Sequence, residues 1–487
     1  MKVLKDLLFG VNIESVMGTT STKVSSIAYD SRKVTADSLF VAIKGGVTDG
    51  HAYLDQAIQQ GATAILVEQM PDAPNDKVTW ICTQNSREAL AIVASHFYGN
   101  PSKDLKLIGV TGTNGKTTIT TLLYDLFEKS GYPSGLISTV VIKYDGLTQP
   151  ATHTTPDPLV INAHLKAMVE RGVSYCFMEV SSHGIDQERT QGLVFAGGVF
   201  TNLTHDHLDY HPSFAAYRDV KKRFFDALPK TAFVLTNADD KNGAYMVQNT
   251  KAKKYTYAQR NYADYRVQIL ESQFSGMLLK INQKEVWSRL VGGFNASNIL
   301  AVFAVAECLD LDALATLSYL SELKNVRGRF ETYSTPNQAT IVVDYAHTPD
   351  ALENVLETIN QIRTKNEQLI TVVGCGGDRD KDKRPLMGKI AAQKSTKVIF
   401  TSDNPRSEDP LQIITEMEAG VSPEDYKKTM SIADREAAIK AACVALEPQD
   451  VLLIAGKGHE TYQEIQGKRT HFDDLEVVQR ILKKMNT

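Results

Sequence analysis

Residues 111–118 read Thr-Gly-Thr-Asn-Gly-Lys-Thr-Thr, after the apolar run Leu107–Val110 and before a helical pattern from Ile119 to Lys129. A strand, a glycine-bearing turn and a helix start form a cradle for a nucleoside triphosphate, with backbone N–H groups and the positive helix end facing the phosphates. Gly112, Thr113, Asn114, Gly115, Lys116, Thr117 and Thr118 are the candidate contacts. Lys116 can reach the β/γ oxygens and the Thr117 hydroxyl can hold Mg²⁺. Val110 stands where the longer form of this pattern has its first glycine, so the match is to the shorter Gly-x-x-Gly-Lys-Thr form. A tight strand-to-helix turn with an exposed lysine is the plain alternative.

Glu179 closes another apolar run and precedes Val-Ser-Ser-His-Gly, a position suited to a hard cation. A solvated glutamate before a helix-capping serine fits the same residues. His205, His207 and His211 place three of the chain's eleven histidines within seven residues. A dinuclear metallo-hydrolase would want HxHxDH, but Tyr210 separates Asp209 from His211. One histidine assisting Glu179 at a second Mg²⁺ fits better, with loop histidines paired to carboxylates as the alternative. Arg379, Arg406 and Glu460 suit a zwitterion, because guanidinium forks pair with carboxylates and a glutamate with an ammonium. Singly, each arginine is explained as well by a surface salt bridge.

These groups need strands to present them. At 487 residues the chain exceeds one core. Boundaries are expected at the turn-rich Tyr98–Ser102 and Ser334–Gln338, giving units 1–103, 104–333 and 334–487. The first unit has short strands at Ser38–Ile43 and Ala62–Val67. The second alternates strands (Leu107–Val110, Tyr175–Val180, Gly198–Thr201, Ala232–Thr236) with helices, the rhythm of a parallel sheet. The third repeats it with Ala339–Val343, Leu369–Val373, Lys397–Thr401 and Val451–Ala455. Thr348 is placed to cap a helix with a buried face of Leu352, Val355, Leu356, Ile359 and Ile362. Ligands of open parallel sheets bind beyond the strands' carboxyl ends. The polar clusters lie there in both later units, so a cleft between two facing units is expected. The fold class is α/β in three domains: a small N-terminal one, a central P-loop domain with a mostly parallel sheet, and a C-terminal Rossmann-like one.

A net charge of −4 provides no general attraction for nucleic acid or anionic membrane. Five scattered cysteines without CxxC spacing indicate a reducing compartment. No apolar run nears the ~20 residues of a bilayer span, and no signal-like core follows Met1, so a cytoplasmic protein is expected.

Taken in order, these segments resemble the Mur ligase family of cell-wall synthetases. The resemblance also includes Asp30-Ser-Arg32, Thr154-Thr-Pro-Asp157, Glu179–Arg189, Gly293–Asn298, Gly328-Arg329, Asp344–Asp350, Gly374–Gly388, Asp403–Arg406 and Gly456–Glu460. It implies an ATP-dependent, amide-forming ligase adding meso-2,6-diaminopimelate to UDP-N-acetylmuramoyl-L-alanyl-D-glutamate through an acyl phosphate. Close rivals are L-lysine as the added amino acid, or a folylpolyglutamate-synthetase-like ligase. A metallo-hydrolase and a nucleotide-switched binding module remain further alternatives. By resemblance, Ser31, Gly46, Val47 and Thr48 contact the UDP moiety, and Thr154, Thr155, Ser181, Gln187 and Arg189 the muramoyl dipeptide. His153 stands where many relatives have asparagine. Asn295 and Asn298 resemble adenine-side contacts; Arg329, Asp344 and His347 resemble nucleotide contacts. Glu179 and His207 resemble ligands of the second of two Mg²⁺ ions. Lys221, beside Lys222, aligns with a lysine carried as a carbamate formed from CO₂. Arg379, Asp403, Asn404, Pro405, Arg406, Gly456 and Glu460 resemble the diaminopimelate pocket. A monomer is implied, with no nucleic-acid partner and no membrane insertion.

Overall fold

The computed structural model describes residues 1–46 and 48–485; Val47 lies outside them. Three main sheets follow one another along the chain. The first has the order Ile13–Met17, Thr79–Thr83, Ala62–Val67, Ser38–Val41, Ser26–Ala28, parallel except for the antiparallel Ile13–Met17 edge.

The second sheet has eleven strands. Seven run parallel in the spatial order Ser134–Ile137, Tyr175–Glu179, Lys106–Thr111, Gly197–Phe200, Phe233–Asn237, Lys253–Ala258, Tyr265–Gln273. Antiparallel pairs flank it: Val141–Tyr144 with Leu147–Pro150 at one edge, and Gly276–Ile281 with Lys284–Ser288 at the other. Strand Lys106–Thr111 is covered on both faces, as the near-continuous apolar runs of parallel sheets require. On one face Ile108 and Val110 pack with Ile119, Leu122, Leu123 and Leu126 of helix Lys116–Lys129. On the other, Leu107 packs with Phe224 and Phe225 of helix Phe214–Asp226. Each fully buried side chain of this kind contributes roughly 1.5–3 kcal/mol. Two helices on opposite faces can thereby send lysines to one strand end.

The third sheet has the order Glu331–Ser334, Thr340–Asp344, Val451–Ala455, Leu369–Val373, Lys397–Phe400, Thr429–Ser431, parallel apart from its first strand. Helix Pro349–Ile362 packs on it through Leu352, Val355, Leu356 and Ile359, and the Thr348 hydroxyl accepts from Ala351 N at its start. Glu331–Ser334 pairs antiparallel with Thr340–Asp344, so Ser334–Gln338 is a turn inside this sheet and not a divide before it. Turn composition alone does not distinguish a hairpin from a linker.

Candidate active site

The phosphate-loop candidates lie between strand Lys106–Thr111 and helix Lys116–Lys129. Gly112 (φ 150°) and Gly115 (φ 90°) occupy backbone regions closed to most side chains. A Cβ on Gly112 would lie 1.9 Å from Thr201 Oγ1, and one on Gly115 would lie 2.7 Å from Asn298 Oδ1. Thr113 Oγ1 bonds Tyr217 OH at 3.0 Å, while Asn114 N donates to Asn202 Oδ1 at 2.9 Å. The loop is thus held from behind, and the helix start that follows it can receive an anion.

Lys116 Nζ donates to Gly112 O (2.9 Å) and Thr113 O (2.7 Å). Lys221, only 1% exposed, reaches the same Gly112 carbonyl at 3.0 Å from the opposite face of the sheet. Burial pushes both amines below the usual lysine range, and for Lys221 the neighbouring Lys116 charge adds to it. Lys222 is different: its Nζ is paired with Asp226 at 2.6 Å. Of the two adjacent lysines, Lys221 therefore has the amine held at the loop.

Glu179 is fully buried beside this strand; its carboxylate accepts from Thr139 N (2.7 Å) and Thr139 Oγ1 (3.0 Å). Its field, with that of buried Asp206, favours the charged form of Lys116. His207, at φ 55°, has its pKa pushed down to about 3 by burial, so its imidazole is neutral and able to ligate a metal. His183 lies 5.0 Å from His207 and 5.9 Å from His211, ring centre to ring centre, whereas His205 is exposed. Among the described residues no three His, Cys, Asp or Glu side chains gather to hold a metal by themselves. The dinuclear reading therefore lacks a ligand set. A hard cation completed by phosphate oxygens and water fits the same donors.

From Glu179 a polar track runs to the first sheet. Thr154 Oγ1 accepts from Thr139 Oγ1 (3.0 Å), and Thr155 Oγ1 donates to Glu179 O (2.9 Å). Ser181 N donates to Thr155 Oγ1 at 2.9 Å, and Arg189 donates to Thr155 O (2.5 Å) and Gln187 Oε1 (2.7 Å). Gln187 and Arg189 open into a cleft of about 770 Å³ whose walls include Ser31, Gly46, Thr48 and Arg87. Sequence reasoning missed Arg87, which sits in an ordinary amphipathic helix.

The third sheet meets the phosphate loop. Arg329 Nη2 donates to Thr117 Oγ1 at 3.1 Å, and Asn114 Nδ2 to Asp350 Oδ2 at 3.1 Å. Arg329 lies 4.5 Å over the Tyr345 ring, and its buried Nε has no partner among the described residues, as an anion-binding guanidinium would. Asp344 accepts from Phe330 N and Ala346 N, and burial raises its pKa to about 6. His347 Nδ1 lies 2.8 Å from Tyr345 O, and Lys383 Nζ donates to His347 O at 2.9 Å. Asn295 and Asn298, on helix Gly293–Cys308, stand against the phosphate loop. Asn295 Nδ2 is spent on Val291 O, Asn298 Nδ2 on Asn295 Oδ1, and Asn298 Oδ1 faces Gly115. They brace the loop from inside.

A second polar cluster forms at the ends of neighbouring strands. Arg406 (φ 52°) donates from Nη1 to Gly377 O at 2.6 Å; Arg379 is exposed, and the two arginines flank Gly376. Pro405 carries the chain from Asn404, whose carbonyl accepts from Gly377 N (2.9 Å). Gly456 (φ 112°) leaves room for the Asp403 carboxylate, 2.6 Å from where a Cβ would stand. Glu460 Oε2 accepts from Asn404 Nδ2 at 2.8 Å. On the expectation from sequence that Arg406 grips a substrate carboxylate, Arg406→Ala should raise KM for a dicarboxylic diamino acid about 10²-fold while KM for ATP stays unchanged. Steady-state kinetics with each substrate varied in turn checks it.

The partly buried histidines imply a pH response. His459 packs 4.8 Å from Tyr345, and burial lowers its pKa from 6.5 to about 3. The unfolded chain then binds the extra proton, so stability is lost as pH falls below about 6.5, by roughly 2 kcal/mol at pH 5 for one such group. Urea titrations of wild type and His459→Gln from pH 7.5 to 5 should show a shallower loss in the variant.

Matches to known proteins follow the same segments. The Mur ligase family catalytic domain matches residues 23–98, the Mur ligase middle domain residues 110–306, and the Mur ligase glutamate ligase domain residues 328–458. The UDP-N-acetylmuramoyl-L-alanyl-D-glutamate–2,6-diaminopimelate ligase of Bacteroides thetaiotaomicron is 52% identical over 98% of this chain and 99% of its own. A solved structure of a ligase with that name is 32% identical, covers 100% of both chains and has a TM-score of 0.70. The MurF ligase of Thermotoga maritima in complex with ADP shares the fold at 20% identity, with TM-score 0.65 over 95% of this chain and 99% of that one.

Proposed function

The chain belongs to the Mur ligase family, and on that premise we propose that it adds meso-2,6-diaminopimelate to UDP-N-acetylmuramoyl-L-alanyl-D-glutamate at the expense of ATP. The relatives' names support this substrate pair. The observation that carries the reading is the junction of Arg329 with Thr117 and of Asn114 with Asp350, which joins the strand ends of two sheets at the phosphate loop. The work belongs to the cytoplasm; among the described residues no helix is long and apolar enough to cross a membrane. We divide the chain near residue 103 and, given the Glu331–Ser334 strand, between helix Ala313–Glu322 and Glu331.

In this reading the D-glutamyl carboxylate attacks the γ-phosphorus, releasing ADP and leaving an acyl phosphate. The amine of diaminopimelate then attacks the acyl carbon, phosphate departs, and the nitrogen loses a proton. Two anions must meet in the first step. Lys116 and the helix N-terminus behind it neutralise their repulsion as charge moves onto the ADP oxygens. Arg329 adds a cation from the facing sheet. Thr117, Glu179, His207 and a carbamate on Lys221 would hold Mg²⁺, which supplies further charge neutralisation when bound. Lys221 suits carbamate formation because burial favours its neutral amine: the nitrogen adds to CO₂ and loses a proton. An anion there would also complement the Lys116 ammonium that shares Gly112 O. The track from Glu179 to the 770 Å³ cleft serves the muramoyl dipeptide and its UDP. Arg406, Asp403 and Glu460 serve the two ends of the amino acid. Closing this space keeps water from the acyl phosphate.

A substrate-omission panel tests the assignment. ADP and a lengthened peptide should form only with ATP, magnesium, the UDP-muramoyl dipeptide and diaminopimelate all present, and L-lysine should be a poor replacement. Equal turnover with lysine would overturn the amino-acid assignment.

A further inference from the structure

Lys457 is a fully buried lysine inside the cluster assigned above to the amino acid. Its Nζ donates to Asn404 Oδ1 at 3.1 Å and to Glu460 Oε2 at 3.2 Å. Asn404 is committed as well: Oδ1 also accepts from Glu464 N (3.0 Å), and Nδ2 donates to the same Glu460 Oε2 (2.8 Å). Two donors therefore converge on one oxygen of Glu460. The hairpin of Tyr462–Ile465 and Lys468–His471 secures this arrangement: Gln463 Nε2 donates to Asp403 O (2.9 Å), and Arg406 N donates to Glu464 O (3.0 Å).

We propose that Lys457 is a positioning and specificity residue: held against Glu460 Oε2 and Asn404 Oδ1, it fixes Glu460 as a carboxylate with Oε1 turned to a substrate ammonium. This deepens the ligase reading and rests on it. The charges support the geometry. Glu460 is faced by the Asp403 carboxylate, by Lys457 and Arg435, by the Tyr345 and Tyr462 phenols and by Arg469. Burial and Asp403 push its pKa up, and Lys457 with Asn404 holds it down. Arg435 is already engaged, through Nε and Nη2, with Asp474 at 2.7 Å each. Lys457 is thus the cation in hydrogen-bonding contact with Glu460. Without it two neighbouring carboxyl groups share a dry site, and one of them takes up a proton. A protonated Glu460 is a poor partner for an ammonium.

The test uses full-length enzyme that turns over diaminopimelate, so a wrong substrate assignment is exposed by the wild type alone. Lys457→Met is expected to raise KM for diaminopimelate about 30-fold or more, with KM for ATP within about twofold of wild type. The variant-to-wild-type KM ratio should fall as pH rises from 6 to 8.5, because Glu460 regains its charge. Combined with Glu460→Gln, Lys457→Met should add little, since the group it acts through is gone. Lys457→Gln, which preserves polarity but not charge, should show the same pH signature with less structural disturbance. An additive double variant, a pH-independent ratio or an equal rise in KM for ATP would overturn the proposal. So would failure of both single variants to fold, which would make Lys457 a residue of the fold alone.

Discussion

Lys116→Met is expected to lower kcat/KM for ATP about 10³-fold and leave the thermal transition nearly unchanged. Lys116 is the ammonium that the loop itself tethers, through Gly112 O and Thr113 O. Its removal takes a preorganised positive charge from the place where the γ-phosphoryl group changes hands, and single oriented groups of this kind are worth about 10²–10³ in rate. Burial already works against the charged lysine, while Glu179 and Asp206 favour it. Methionine fills a similar volume without the charge, so the loss should appear in chemistry more than in folding. Single-turnover ADP formation beside a melting curve makes the distinction. A variant with near-wild-type turnover would remove Lys116 from the reaction.

Lys221→Ala should cost about 10²–10³ in kcat, and the defect should be partly repaired by a short carboxylate such as acetate in bicarbonate buffer. Alanine leaves a space beside Gly112 O in which a small anion can stand in for the proposed carbamate. The neighbouring Lys222, paired with Asp226, is not placed to substitute. A readout independent of turnover is available: wild-type protein under ¹³CO₂ should show a carbamate carbon resonance that Lys221→Ala lacks. Full activity of the alanine variant would exclude the carbamate role.

Much of this architecture is legible in local sequence because buried parallel strands are nearly unbroken apolar runs. Ala62–Val67, Leu369–Val373 and Val451–Ala455 match expectation to the residue, the expected Ser38–Ile43 stops at Val41, and the other expected strands differ by one residue at one or both ends. The flanking antiparallel strands Val141–Tyr144, Leu147–Pro150 and Lys284–Ser288 are short, of mixed polarity and partly exposed, so they offer no unbroken apolar run. Glu331–Ser334, with intermediate and exposed residues only, hides for the same reason. At the site, Gly112–Thr118, Glu179 and Asp403–Arg406 are contiguous or end a strand, so sequence reveals them. His183, Asp206, Lys383 and Lys457 lie inside segments that the sequence singles out, but nothing local shows what each of them does. Each gains meaning only from a partner distant in the chain or from burial, as Lys383 does from His347 and Lys457 from Asn404.

The central claim is that phosphoryl transfer to the dipeptide carboxylate precedes amide formation in the space between the two later sheets. UDP-N-acetylmuramoyl-L-alanyl-D-glutamate labelled with ¹⁸O in its γ-carboxylate, turned over with ATP and diaminopimelate, tests it most directly. Mass analysis should find one ¹⁸O atom in each phosphate released per amide bond formed. Tripeptide made alongside unlabelled phosphate would contradict the account.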